Sequence, residues 1–321
     1  MKNRIAVCGS LAALAALICA PDEVMASCRY ALSLCAELII PSLFPFFVLS
    51  MLLSRLGLPA LLGRLTALPA RRLFNVSGAG ASALIIGLTG GYPLGAAYIA
   101  DMFRAGGITA DEGERLMGFC NNSGPAFIIG AVGAGVFSSP RAGIYLYAVH
   151  IAAAIAAGLI MRTSRAAPDA GDGATHTAAD IPFTAAFPAA VKQALVSILN
   201  VCAFVVCFTV LVGLLDAGGF FSLAVGRAAA ATGWELHWVL ALFTGILELG
   251  SGVGAMRGLG VSAINLALAA FIVGWGGISV HFQTMAVIAE SGIKGALHFA
   301  GRLISASISA VLAYFLYGLA F

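Results

Sequence analysis

The sequence predicts an all-α polytopic membrane protein made of two inverted-topology repeats, each with a re-entrant helical hairpin and a broken transmembrane helix. Apolar residues make up 61% of the 321 positions, charged residues only 10%, and the mean hydropathy of +1.01 is far above that of a soluble domain. Apolar windows of about 20 residues, enough to cross a hydrocarbon core of about 30 Å, recur along the chain. Two further apolar windows are interrupted by glycine, which favours re-entrant hairpins over plain spans.

The first apolar window, residues 5–20, directly follows Lys2 and Arg4. This pattern predicts a peripheral transmembrane helix within residues 1–28. The stretch "VMAS" at 24–27 would also suit cleavage of a secretory signal. We favour an uncleaved helix, because the rest of the chain needs the membrane in any case.

The first repeat is expected over residues 29–162. A long helix and an amphipathic, arginine-bearing segment lead to a hairpin at 79–103 with the tip sequence "TGGYPLG". Gly90 and Gly91 allow positive φ at this tip, and Pro93 suits the first turn of the returning helix. A broken helix at 116–138 follows, because Pro125 in "CNNSGPAFIIG" removes a backbone donor and restricts the residue before it. A closing helix ends the repeat.

The second repeat is expected over residues 186–321, with a hairpin at 236–258 and a broken helix at 260–289. Gly87 aligns with Gly245, and Gly95 aligns with Gly254 after a one-residue slip. The first repeat starts from outside and the second from inside, so the two are predicted to be inverted, as in many secondary transporters. Residues 163–185 lie between them and lack hydrophobic periodicity, which predicts a flexible cytoplasmic linker.

The positive charges support this topology. With a cytoplasmic N-terminus and two re-entrant hairpins, thirteen lysines and arginines fall inside and four outside, namely Arg29, Arg141, Arg227 and Arg257. Arg302 is assigned to the inside group. The asymmetry disappears if the two hairpins are treated as ordinary spans, so the charge distribution favours re-entrant hairpins.

Three stretches resemble a known family: "GLTGGYPLGA" at 87–96, "NSGPAFIIGAVG" at 122–133 and "ILELGSGV" at 246–253. They resemble sporulation integral membrane proteins of the YlbJ (SpoVV) type, in the nucleoside-recognition (Gate) domain group. That group is similar in plan to concentrative nucleoside transporters. The resemblance implies a transporter of the bacterial cell membrane, in the outer forespore membrane, associated with moving dipicolinic acid during sporulation. The resemblance is also compatible with a homo-oligomer.

The hairpin tips and helix breaks are expected to converge on one substrate site, where freed backbone groups face a cavity. Glu248 lies in the second tip, and a carboxylate at membrane depth indicates a functional role by default. The alternative is that Glu248 only caps the backbone amides of its own hairpin. His281 also suits a structural role, and "NNSGP" suits an interfacial helix cap. The expected substrate-binding residues are Thr89, Gly90, Gly91, Tyr92, Asn121, Asn122, Ser123, Gly124, Glu248, Gly250, Ser251, Ser279, His281 and Gln283.

These features predict a secondary transporter of a small polar or anionic solute, with no cofactor and with a coupling proton or sodium ion. No arginine or lysine is expected at midplane depth, so helix N-termini and neutral donors would hold an anion. The alternatives are a nucleoside carrier and a non-transporting scaffold for envelope assembly. An enzyme is not expected, because HExxH, GxSxG and paired intramembrane aspartates are missing. The sequence also lacks a nucleotide-binding loop and a basic array for nucleic acid, so the expected partners are the solute and the lipid bilayer.

Overall fold

The computed structural model describes residues 2–163, 181–289 and 291–321. Every regular element in these ranges is helical, which confirms the predicted all-α fold. Five helices are long and apolar enough to cross a membrane: Pro21–Arg55, Pro140–Ile160, Phe183–Ala217, Ala263–Ile288 and Ala296–Phe315. The protein is therefore a polytopic membrane protein. Most of the expected linker at 163–185 lies outside the described residues.

The described linker-flanking residues 163 and 181 divide the helices into a first and a second half of the chain. The first half contains α1 Lys2–Cys19, α2 Pro21–Leu34, a π-helical stretch Cys35–Ile39, α3 Ile40–Arg55, α4 Leu58–Phe74, α5 Gly78–Gly90, α6 Leu94–Arg104, α7 Ala110–Cys120, a π-helical stretch Ala126–Val136 and α8 Pro140–Ile160. The second half contains α9 Phe183–Ala217, α10 Phe220–Thr232, α11 Leu236–Leu247, α12 Leu249–Gly254, α13 Ala263–Trp275, α14 Gly277–Ile288, α15 Ala296–Phe315 and α16 Tyr317–Ala320.

The N-terminal helix α1 has exposed side chains along almost all of its described length. The long helix after it begins at Pro21, before the start of the first repeat expected at residue 29, and α2, the π-helical stretch and α3 continue without interruption to Arg55. The boundary expected at residue 28 therefore falls inside α2. Pro21 suits this start, since a proline in the first helical turn has no backbone donor to lose.

Helices α5 and α6 form the first hairpin, which starts and ends at the same end of the bundle. The backbone N–H of Ser77, just before α5, donates a 2.6 Å hydrogen bond to Oε1 of Glu112. Glu112 lies in the first turn of α7, shortly after α6 ends at Arg104. Helix α4 approaches this hairpin at an angle, because the stretch Leu65–Phe74 and α5 meet at 94°.

Helices α11 and α12 form the second hairpin, and its two ends also lie together. Near the start of α11, Nε1 of Trp238 donates to Oδ1 of Asn265, near the start of α13, at 2.9 Å. The returning helix α12 has only six residues and stops at Gly254. Turns and bends rather than helix occupy residues 255–262, so this hairpin is less helical than the expected range 236–258.

Both expected broken helices are interrupted. Helix α7 stops at Cys120, residues 121–124 are not helical, and the π-helical stretch Ala126–Val136 follows Pro125. Helices α13 and α14 are separated at Gly276, whose φ of +86° is in the left-handed region that favours glycine. We name residues 90–93 and 248–250 the first and second tips, and residues 121–124 and 276–277 the first and second breaks.

The closing helices of the two halves, α8 and α15, run antiparallel to each other. Tyr145, near the start of α8, donates from its hydroxyl to the carbonyl of Ala313 near the end of α15, at 2.7 Å. Arg141 donates to the carbonyl of Ala320 at the same end of the bundle. Antiparallel corresponding helices are what an inverted repeat requires. These contacts favour the predicted inversion, which stays a prediction.

Candidate functional site

A small cavity lies where the two tips meet the first break and the long helices α3 and α9. Its volume is about 50 Å³, room for a few water molecules. A larger solute therefore needs the surrounding helices to move apart. The predicted site residues that line the cavity are Gly90, Gly91, Tyr92, Ser123, Gly124, Glu248, Gly250 and Gln283. Its apolar lining comes from Ile39, Leu43, Phe47, Phe127, Val201, Val205, Leu249 and Val280.

The first tip contacts the backbone of the first break directly. Gly91 has a φ of +77°, and a Cβ atom at this position would lie 2.7 Å from the backbone nitrogen of Gly124. Any side chain here would collide with backbone, which cannot rotate away. The glycine is therefore required both for its conformation and for the close approach.

The second tip contacts the second break in a corresponding way. Gly277, with a φ of +77°, would place a Cβ atom 2.8 Å from the backbone nitrogen of Leu249 in the second tip. Within each hairpin, a glycine of the outgoing helix also packs on a glycine of the returning one, Gly87 on Gly95 and Gly245 on Gly252. The partner of Gly245 is thus Gly252, two residues before the glycine that the alignment matched to Gly95.

Glu248 is buried between the two helices of the second hairpin, with 2% of its surface exposed. Its Oε1 accepts a 2.9 Å hydrogen bond from the N–H of Gly250, and its Oε2 accepts one from the N–H of Ser251. The carboxylate therefore caps α12, one of the two roles expected from the sequence. It also lines the cavity, so capping does not remove it from the site.

Asn121, Asn122 and Ser123 of the first break are completely or almost completely buried. Asn121 joins two elements, because its Oδ1 accepts from the N–H of Ala96 at 3.2 Å and its Nδ2 donates to the hydroxyl of Thr284 at 2.9 Å. The N–H of Ser123 donates to Nε2 of His150 in α8 at 3.3 Å. The break is thus held by a backbone N–H of α6 and by side chains of α8 and α14, and only Ser123 and Gly124 of its residues reach the cavity.

The remaining expected site residues lie away from the cavity. Thr89 is exposed, donates to the carbonyl of Ile85 at 2.7 Å and lines a different cavity. Ser251 pairs with Thr209 through their hydroxyls at 2.9 Å. Ser279 is fully buried, and its hydroxyl lies beside the carboxylate of Glu248. His281 is buried with its ring stacked on Phe299, their centroids 4.3 Å apart.

The sequence analysis missed Arg302, and its statement that no basic residue lies at depth is wrong. Arg302 is fully buried inside the protein. Its Nη1 donates to Oδ1 of Asn122 at 2.7 Å and to the hydroxyl of Tyr92 at 3.3 Å. Its Nη2 donates to the carbonyl of Gly118 at 2.9 Å and to the hydroxyl of Ser305 at 3.3 Å. A guanidinium therefore bonds directly to residues of the first tip and the first break.

A periodic signal in the sequence could have found Arg302. His298, Arg302, Ser305 and Ser309 recur at the spacing of one helix face in α15, and all four are fully buried. A polar face on an apolar membrane helix points toward the protein interior rather than toward lipid. The sequence analysis assigned Arg302 by its nearness to the expected end of a span and did not use this periodicity.

Two larger cavities lie on either side of the central one. The first, which we call the Glu23 vestibule, has a volume of about 580 Å³ and is lined by Glu23, Asp216, Thr209 and Ser251 among others. The second, the Arg55 vestibule, has a volume of about 360 Å³ and is lined by Arg55, Asp101, Gln193 and Thr89 among others. Glu23 and Arg55 lie near opposite ends of the helix Pro21–Arg55, so the two vestibules open at opposite ends of the bundle.

The fold and this site define a class: an integral membrane protein whose interrupted helices enclose a buried polar centre. The sporulation integral membrane protein YlbJ of Bacillus subtilis (strain 168) is 31% identical over 325 aligned positions, which cover 94% of this chain and 80% of that protein. The chain belongs to the YlbJ family of sporulation integral membrane proteins. No family model and no solved structure matches the chain. Membership of the nucleoside-recognition group therefore stays a prediction.

Proposed function

We propose that the protein is a secondary transporter of a small polar or anionic solute, working by alternating access in the outer forespore membrane with a cytoplasmic N-terminus. The observation that carries this proposal is the cavity, which lies between two vestibules and is lined by both hairpin tips. A cavity with a few polar groups at the meeting point of interrupted helices is typical of transporters built from repeats. The family resemblance points to dipicolinic acid as the cargo. Neither a catalytic role nor a cofactor forms part of the proposal.

Glu248 supports coupling to a cation. An ionised carboxylate lining the cavity repels an anionic solute, and a proton or sodium ion at Glu248 would remove that repulsion. Backbone amides already stabilise the carboxylate, so it can persist at depth until a cation arrives. The coupling ion and the cargo would then bind together, which is the basis of symport.

The test is uptake by purified protein in liposomes, comparing radiolabelled dipicolinate with uridine under a proton gradient, a sodium gradient or neither. We expect saturable dipicolinate uptake that one of the gradients accelerates. Glu248→Gln is expected to abolish the effect of the gradient. The matched control, Glu235→Gln, changes a side chain that is 62% exposed at the start of the same hairpin and is expected to behave as the wild type.

The same assay separates the alternatives. Uptake of uridine alone would favour a nucleoside carrier, for which the ring of Tyr92 in the cavity offers a stacking surface. Saturable movement of neither solute by correctly inserted protein would contradict transport and leave the scaffold as the better account.

A further inference from the structure

Arg302 is a buried cation with no buried counter-ion among the residues that the structure describes. All of its surface is enclosed by protein, and no carboxylate of residues 2–163, 181–289 and 291–321 forms an ion pair with it. Its four hydrogen-bond acceptors are two hydroxyls, an amide and a carbonyl, all of them neutral. They satisfy the donors on both Nη atoms but leave the positive charge uncompensated. Charges buried in membrane proteins are normally paired.

The histidines near Arg302 do not supply the missing negative charge. His150, His281 and His298 all lie close enough to the guanidinium for its positive charge to disfavour their protonated form. A neutral imidazole carries no charge, and a protonated one would add to that of Arg302. The Nε of Arg302 and several ring nitrogens of these histidines also have no hydrogen-bond partner among the described residues. The surroundings of Arg302 are thus rich in donors and poor in negative charge.

Tyr92 connects this cation to the cavity. Its hydroxyl oxygen accepts from Nη1 of Arg302, while the residue itself lines the cavity. The proton of that hydroxyl has no acceptor in the part of the chain that the structure describes. A hydroxyl that accepts from a cation is a stronger donor through its own proton, because the two bonds polarise each other. Such a donor binds a carboxylate better than a neutral group.

We propose that Arg302, acting through the hydroxyl of Tyr92, makes the cavity selective for solutes that carry a carboxylate over neutral solutes of the same shape. Arg302 is a positioning residue in this arrangement, and Tyr92 makes the contact. This inference rests on the proposed function, because it takes the cavity to be the substrate-binding site of a transporter. It adds the residues that determine the charge of the solute, which the proposed function leaves open between anionic and neutral.

The test compares two probes of the same outline on purified protein in detergent: pyridine-2,6-dicarboxylate and its neutral diamide. We expect the wild type to bind the dicarboxylate more tightly. Tyr92→Phe keeps the ring and removes only the hydroxyl, so it should lower that preference about tenfold, the usual effect of losing a hydrogen bond to a charged group. Arg302→Gln should remove the preference. The control, Tyr147→Phe, deletes a hydroxyl that donates to Leu88 of the same hairpin outside the cavity and should leave the preference unchanged.

The outcomes separate this inference from transport itself. Equal binding of the two probes by the wild type, or an unchanged preference in Tyr92→Phe, would overturn the inference. Arg302→Gln can also unfold the protein, so its melting temperature is measured, and Tyr92→Phe decides the matter if that variant does not fold. A carboxylate preference without uptake in liposomes would uphold the selectivity and overturn transport. Uridine uptake without carboxylate binding would uphold transport and overturn the selectivity for carboxylates.

Discussion

At the scale of single residues, the two glycines of the first tip have different surroundings. A Cβ atom on Gly90 would meet only the side chain of Leu94, with 3.0 Å to its Cδ1, and that side chain can move. A Cβ atom on Gly91 would meet the backbone of Gly124 at 2.7 Å, which cannot. The requirement for glycine is therefore stricter at position 91 than at position 90. The sequence alone does not distinguish the two adjacent glycines.

This difference predicts that Gly91→Ala abolishes uptake while the protein remains inserted in the membrane. Gly106→Ala is the matched control, because Gly106 has a similar φ, +72° against +77°, but has nothing within 4 Å of the added Cβ. Both substitutions put alanine at a positive φ, and the cost is larger at Gly91, whose ψ of −176° lies in a region that is essentially restricted to glycine. Only Gly91→Ala adds a collision with the first break. Uptake and membrane insertion are measured for both variants, and equal uptake would show that the contact with Gly124 is not needed.

At the scale of elements, the structure explains how an interrupted helix is stabilised at depth. The helical hydrogen-bond pattern is interrupted at the first break, and bonds made by its own side chains and by His150 replace the missing ones. Asn121 bonds to the backbone of α6, and the N–H of Ser123 bonds to His150 of α8. Asn122 donates back to the carbonyl of Phe119 at the end of α7, at 2.7 Å. These amides therefore stabilise the break, and their burial does not by itself indicate substrate contact.

The hairpin arrangement predicts the result of cysteine labelling. The side-chain amide of Asn75, at the end of α4, donates to the carbonyl of Thr163 at 2.9 Å, so the end of α8 lies at the same end of the bundle as the first hairpin. The hydroxyl of Tyr317 donates to the carbonyl of Val261 at 3.2 Å, beside the end of the second hairpin. Cysteines at Ala105 and Thr163 should therefore label from one face of the membrane and a cysteine at Gly260 from the other.

The labelling is done with a membrane-impermeant reagent on a chain whose seven native cysteines have been replaced. With a cytoplasmic N-terminus, the first two positions should react from the cytoplasmic side. Labelling of Ala105→Cys and Thr163→Cys from opposite faces would mean that the stretch from α7 to α8 crosses the membrane an odd number of times. It would also contradict the inverted repeat.

At the scale of the whole molecule, a contact between two helices separates the central cavity from the Glu23 vestibule. Thr209 of α9 and Ser251 of α12 line the Glu23 vestibule and bond to each other at 2.9 Å. Gly250, the neighbour of Ser251, lines the central cavity. The Thr209–Ser251 contact thus lies between that cavity and one end of the bundle. Alternating access would require this contact to open.

A disulfide between these positions should therefore stop transport. Hydroxyls 2.9 Å apart place two side chains close enough for cysteines, whose Cβ atoms are about 3.5–4.5 Å apart in a disulfide. We expect the double variant Thr209→Cys/Ser251→Cys, without the native cysteines, to lose uptake on oxidation and regain it with a reductant. The two single variants should be insensitive to the oxidant. Full uptake by the cross-linked protein would show that α9 and the second hairpin move as one unit.

Local chemistry explains what the sequence determines without a structure. Apolar runs of span length place the chain in the membrane, and glycine or proline interrupts a helix wherever it stands. Both hairpins and both breaks could therefore be located in the sequence, the hairpins from "TGGYPLG" at 89–95 and "ILELGSGV" at 246–253, and the breaks from "NNSGP" at 121–125 and "GWGG" at 274–277. The burial of Glu248 could be anticipated too, because no other acidic residue lies in that apolar window.

The direction and partners of each polar side chain were decided only by the tertiary structure. Arg302 meets Tyr92 and Asn122 across 210 and 180 positions of the chain, and nothing local to α15 specifies those partners. Thr89, one residue from the first tip, turns away from the cavity because the helix places successive side chains on different faces. The sequence determines where a membrane helix must break, since that depends on the residues at the break. The charged side chain next to the cavity is that of Arg302, which reaches Tyr92 only because distant helices pack together. Only the fold therefore determines that charge.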